Sequence, residues 1–275
     1  MNNIFDFKRF GHYFIYDVRR WISSYGPTFL LMALAPLILY AVVLCYSLVF
    51  GYGWNAPGFS ARVSVLVIIT FVMLMTYPAS VYGYITDKKA GSAFLMMPVS
   101  LTEKFISMIL NVLVIVPLAF ALIYFSCDAV LCLVDKGCGS TLISSAKDAF
   151  SFVLSAPFTS DSPIRISMFA IYITFAINIL YFLLGAIFFR KHKILYPILI
   201  LVALQMCFML LLGFLSTAGI LTNDVFESFM SRYDFAPERL ALLARTFNVV
   251  SSVWNCIVTV ALLLAIYFRL KTIKH

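Results

Sequence analysis

VSVLVIITFVMLMTYPASVYGYIT, residues 63–86, is the stretch whose reading decides the fold. Its 24 residues include no Asp, Glu, Lys, Arg or His. At about 1.5 Å of helical rise per residue, it is long enough to cross a hydrocarbon core about 30 Å thick. Five more windows have the same character: 29–50, 105–127, 166–189, 194–215 and 247–268. A charge at the centre of such a helix costs at least about 2.5 kcal/mol, so six charge-free windows mark lipid as the solvent. Within lipid each segment must satisfy its own backbone N–H and C=O groups, which makes these segments helices. The expected fold is an all-α membrane protein with six transmembrane helices, forming one integral membrane domain over residues 1–275.

Composition points the same way. The chain is 63% hydrophobic and 12% charged, whereas a soluble domain carries about a quarter charged residues. No soluble catalytic domain is expected. The net charge of +8 is uneven along the chain: segments 1–28, 87–104, 190–193 and 269–275 together carry +9, and the intervening ones −1. Basic connections stay in the cytoplasm, so both termini are expected there, most clearly because of Arg190-Lys191-His192-Lys193. The basic excess therefore reads as orientation and attraction to the headgroups of membrane lipids. Nucleic-acid binding is not expected, because no basic stripe with interleaved aromatics lies on a water-facing element. The absence of a cleavable signal pattern and of an N-x-S/T sequon makes a bacterial inner membrane the expected location.

Residues 4–22 alternate an apolar aromatic face (Phe7, Phe10, Phe14, Val18, Trp21) with basic flanks, the pattern of an interfacial helix. Gly26-Pro27 is expected to end it and turn the chain into the bilayer. Between the second and third spans lies loop 87–104. It opens on Asp87, Lys88 and Lys89, continues as the short apolar stretch Phe94, Leu95, Met96, and stops at Pro98. Ser100-x-x-Glu103 then forms a capping-box pattern, placing the third helix start near Leu101. Of the outer connections, 134–165 and 217–246, each is expected to carry short surface helices, one over 143–154 and two over 223–246. Prolines inside spans, at 36, 78, 117 and 197, are expected to kink them.

Cys132 and Cys138 sit near the outer end of the third span. In an oxidising compartment a bridge is open to them, free thiols being the plainer state. Metal binding is disfavoured, since His12, His192 and His275 all fall on the other side. No cofactor is expected. Neither H-E-x-x-H, G-x-S-x-G nor a G-x-x-x-x-G-K-S/T phosphate loop occurs, so the chain is not expected to be an enzyme or to hydrolyse ATP itself. The spans contain no ionisable group at mid-depth, and Asp128 is expected to reach water at the outer end. Both points disfavour an ion-coupled carrier.

The string FLMMPVSLTEKF, from Phe94 to Phe105, resembles a segment of the membrane (permease) subunits of bacterial ABC transporters. The layout is similar to exporter-type permeases: an N-terminal interfacial helix, six spans, a coupling helix between spans two and three, and short outer helices before the last span. That resemblance implies docking on a cytosolic ATP-binding subunit, pairing with a second permease subunit as a homo- or heterodimer, and movement of a hydrophobic or amphipathic substrate. It implies that Asp87, Lys88, Lys89, Phe94, Leu95 and Met96 make the ATPase contact, with Ser100 and Glu103 capping the helix that follows. The alternative reading is a non-transporting membrane partner or sensor that binds another protein through its outer loops.

Overall fold

A computed structural model describes residues 5–51, 56–135, 138, 141–144, 168–217 and 237–273, and every extended element among them is helical. In chain order these are α1 (Phe7–Ala33), α2 (Ala35–Phe50), α3 (Phe59–Tyr82), α4 (Lys88–Met96), α5 (Leu101–Leu110), α6 (Val116–Val134), α7 (Met168–Phe188), α8 (Leu195–Thr217) and α9 (Pro237–Thr272). A 3₁₀ turn, Gly83–Thr86, follows α3, and a π turn, Asn111–Ile115, joins α5 to α6. Among the described residues, three helical runs are long and apolar enough to cross a membrane: Phe59–Thr86, Leu101–Val134 and Val249–Thr272. A fourth arises if α1 and α2, bent by 47° at their junction, are taken as one span. Two shorter apolar stretches, Tyr172–Phe188 and Leu195–Leu211, accompany them.

The core is a bundle in which α7 packs between α3 and α9, while α1 lies against α3, α5 and α6. Ile179, Leu180, Leu183 and Ile187 of α7 are buried at helical spacing, as are Met73, Leu74, Tyr77 and Val81 of α3. By contrast, α8 is apolar all round and exposes Leu199, Leu204, Phe208, Leu210 and Phe214 on every side. A helix of that kind is at home only in a non-aqueous surrounding. It approaches α7 closely where Gly185 meets Pro197; a Cβ on Gly185 would collide with the proline ring.

The N-terminal region departs from the sequence expectation. Helix α1 does not end at Gly26-Pro27 but runs through to Ala33, so the predicted interfacial helix and the start of the first span are one element. Pro27 removes one intrahelical donor, yet side chains on both sides of it are locked into the core. Trp21 and Phe29 meet edge to face at 5.5 Å, and the Tyr25 hydroxyl shares a 2.6 Å hydrogen bond with Thr76. The chain bends two turns later, at Leu34, where Pro36 lies at the start of α2 and cannot continue α1. A second proline, Pro117, leaves the Leu113 carbonyl without its usual amide. The Tyr172 hydroxyl of α7 donates to that carbonyl at 3.2 Å, satisfying it from a neighbouring helix.

Other differences are local. Helix α9 is continuous from Pro237 to Thr272, so the short helix expected to open at Pro237 is the beginning of the last span's own helix. Asp128 does not reach water: it is fully buried and paired with Arg62 at 3.0 Å. The outer helices expected over 145–154 and 223–236 lie outside the described residues.

Candidate functional site at the basic end of the bundle

The candidate site is α4 and what holds it. Local chemistry builds its exit first. Ser100, extended at φ −66° and ψ 154°, accepts from the Glu103 amide through its hydroxyl at 3.3 Å, and its own amide donates to Glu103 Oε2 at 3.0 Å. These two reciprocal bonds satisfy donors that the first turn of α5 leaves open. Glu103 does more than cap. The Arg9 guanidinium donates to it from Nε at 2.9 Å and Nη2 at 2.6 Å, and the Asp6 amide donates at 2.9 Å. One carboxylate thus fastens the start of α1 to the start of α5.

At the same, C-terminal end of α4, Lys104 of α5 reaches back. Its ammonium donates to the Phe94 carbonyl at 2.6 Å and to the Met97 carbonyl at 3.4 Å, and lies 4.7 Å from the Phe94 ring centre. A cation at the open carbonyls of a helix C-terminus complements both the orphan acceptors and the helix dipole. Its N-terminus is tethered as well. Asp87 occupies the N-cap position, but its carboxylate makes no capping bond and instead accepts from Lys193 at 2.7 Å. The same ammonium donates to the Gly83 carbonyl at 2.7 Å. Behind this corner the Arg20 guanidinium stacks on Tyr84 at 3.2 Å, and Tyr84 meets Phe94 edge to face at 6.2 Å.

The sequence-selected residues therefore separate into two kinds. Phe94 is 5% exposed and belongs to the core, so its ring is an anchor and presents no contact surface. Lys104 and Tyr84 pack against that ring and hold it there. Met96, 81% exposed, stands free on the surface, and Asp87 is half-exposed in its ion pair with Lys193. Lys88, Lys89 and Leu95 lie on α4 by position, their side chains being outside the described set. Ser100 and Glu103 cap the start of α5, just beyond the end of α4.

Two polar clusters escaped the sequence reading. Asp17, assigned there to a surface helix, is buried where α1 crosses α3 and α5. Its Oδ2 accepts from the Tyr82 hydroxyl at 3.1 Å, the Ser107 hydroxyl at 2.9 Å and the Asn111 amide at 2.8 Å. Asn111 opens the π turn, a distortion that recurs at functional positions in helices. The signal was available in Ser107 and Asn111, a polar pair four residues apart on an otherwise apolar helix, facing one partner. At the opposite end of the bundle Arg62 donates to both Asp128 oxygens, at 3.0 and 3.3 Å, and to the Cys138 carbonyl at 3.0 Å. Asp128 in turn accepts from the Leu142 amide at 2.9 Å. Cys132 and Cys138 are joined in a disulfide beside this pair, and Arg62 also contacts the Cys132 sulfur at 3.1 Å.

Among the described residues no group of three or more His, Cys, Asp or Glu is arranged to hold a metal ion. The chemistry of the site is mechanical: a short helix clamped at both ends, with an exposed apolar side chain between the clamps. No family model, curated protein or solved structure matches the chain.

Proposed function

We propose that this chain is the membrane-embedded permease subunit of an exporter-type ABC transporter. It crosses the bilayer six times with both termini in the cytoplasm of a bacterial inner membrane, pairs with a second permease, and moves a hydrophobic or amphipathic substrate on energy from a cytosolic ATP-binding subunit. The observation that carries this reading is α4. A helix of nine residues sits between two membrane-crossing runs, on the basic side, tied to α1 through the Phe94–Tyr84–Arg20 stack, to α5 through Lys104 and to the α7–α8 turn through Lys193. A push on Met96 would be delivered to three helices together. Helices α7 and α8, with 21 and 23 residues, are each about 30 Å long, which supports two further crossings.

The test uses the exposed residue, since altering Phe94 would dismantle α4 itself. In gentle detergent, the wild-type chain is expected to bring a nucleotide-binding subunit with it from its host. Met96→Asp is expected to abolish that co-purification while leaving membrane insertion and thermal stability unchanged. Co-purification that survives the substitution would remove α4 as the coupling contact. A partner that proves to be an extracytoplasmic protein would instead favour the sensor reading.

A further inference from the structure

We propose that the cleft between the end of α3 and the α7–α8 turn binds the phosphate of an anionic membrane lipid, whose acyl chain runs along α8. The cleft has a volume of about 390 Å³ and is lined by Ser80, Arg190, His192, Lys193, Ile194 and Leu195, with Ala79 behind them. That is room for a headgroup, since a single water takes about 30 Å³. Three of the lining side chains carry N–H donors suited to phosphate oxygens, and Ser80 adds a hydroxyl. The turn is built to gather them. His192 has φ 50°, in the left-handed region that a β-carbon disfavours, and the reversal places positions 190, 192 and 193 on the cleft while Lys191 stays off its walls. Among the described residues, the side chains of Arg190 and His192 make no hydrogen bond, the His192 carbonyl alone accepting from the Tyr196 amide, so their side-chain donors stand available.

A free anion would need only the cationic wall, but the surface continues. Leu195, Leu199, Val202 and Met206 recur at helical spacing from the cleft along α8, and all four are exposed. A charged pocket that opens onto an apolar stripe matches an amphiphile, and a basic pocket between helices on the cytoplasmic side suits lipid headgroups. Lys193 links the site to α4. Two of its three N–H groups hold Gly83 and Asp87, and the third is left for a phosphate oxygen. Occupancy therefore stiffens the corner from which α4 starts. This inference rests on the chain lying in a bilayer and not on the identity of any ATPase.

The experiment is titration of the full-length chain in neutral detergent with phosphatidylglycerol or phosphatidylcholine, counting bound lipid by native mass spectrometry. Phosphatidylglycerol is expected to bind in preference. Arg190→Gln and Lys191→Gln remove the same charge from adjacent positions, one inside the cleft and one outside. Arg190→Gln is expected to weaken phosphatidylglycerol binding by about tenfold, and Lys191→Gln by less than about twofold. Equal losses would reveal general attraction to a basic surface and overturn the site. Displacement of the lipid by millimolar inorganic phosphate would assign the cleft to a free anion and overturn it too. Hydrogen exchange across residues 87–96 of the wild-type chain is a readout that needs no variant: it is expected to slow with phosphatidylglycerol alone, and exchange indifferent to lipid would refute the link to α4. Failure on any of these counts leaves the co-purification test of the permease reading untouched.

Discussion

At the scale of single residues, Asp17 and Arg62 decide how the helices lock. Asp17 holds three donors on one oxygen, one from α3, one from α5 and one from the π turn, so its loss strands all three in a buried setting. Each unsatisfied buried polar group costs about 1–3 kcal/mol, so Asp17→Ala is expected to destabilise the fold by at least about 3 kcal/mol. Asp17→Asn keeps an acceptor oxygen in place and is expected to cost less than half as much. Unfolding in detergent titrations measures both, and equal losses would show that the three hydrogen bonds are not what matters. Arg62 and Asp128 form the complementary case at the other end, an ion pair withdrawn from water, with side-chain exposures of 1% and 0%. Arg62→Ala leaves a buried carboxylate with only the Leu142 amide, and a cost of about 3–5 kcal/mol is expected. Arg62→Met combined with Asp128→Leu is expected to recover most of it, because removing both charges also removes their desolvation. A double variant as unstable as the single one would show that shape, not charge, holds this corner.

At the scale of elements, the cap at the start of α5 combines a local device with a distant one. Ser100→Ala removes only the local device and is expected to cost about 1 kcal/mol. Glu103→Ala also releases Arg9 and the Asp6 amide. With Arg9 one-third exposed, its share is reduced by solvent screening, and roughly 2 kcal/mol in total is expected. Hydrogen exchange over 101–104 should quicken in both variants. Exchange near the start of α1, over 7–10, should quicken only in Glu103→Ala, and uniform behaviour would mean that the two helices are not joined there. The same contrast explains what could be read from the sequence. The capping box is written within four residues and needs no knowledge of the fold, and the apolar runs of α3 and α5–α6 are equally local. Arg9 lies 94 residues from Glu103, and Arg62 lies 66 residues from Asp128, so neither pairing leaves a trace in spacing. Pro27 and Pro36 look alike in sequence. Only the aromatic packing of Trp21, Tyr25 and Phe29 tells which of them bends the chain. The burial of Phe94 is illegible for a related reason: an apolar residue on a short helix faces a partner or the core, and only the packing of Lys104 and Tyr84 shows that it lies in the core.

At the scale of the whole molecule, orientation is what the proposed function most depends on. The run Leu101–Val134 has 34 residues, about 50 Å of helix, so both of its ends extend past a hydrocarbon core about 30 Å thick. The capping box and α4 lie at one end, near Arg190 to Lys193, and the Cys132–Cys138 disulfide lies at the other. Basic turns stay in the cytoplasm and disulfides persist in oxidising compartments, so two independent rules assign opposite sides to opposite ends. The prediction is made in a background where Cys45, Cys127, Cys207 and Cys256 are replaced by alanine and the bridged pair is kept. Val134→Cys, at a well-exposed position beside the disulfide, is expected to react with a membrane-impermeant maleimide in intact cells. Lys191→Cys is expected to stay unlabelled until the membrane is opened. If Lys191→Cys labels first, the basic turns face outward, and no cytosolic ATPase can reach Met96. If both label in intact cells, the two ends share one side, and the run between them does not cross the bilayer.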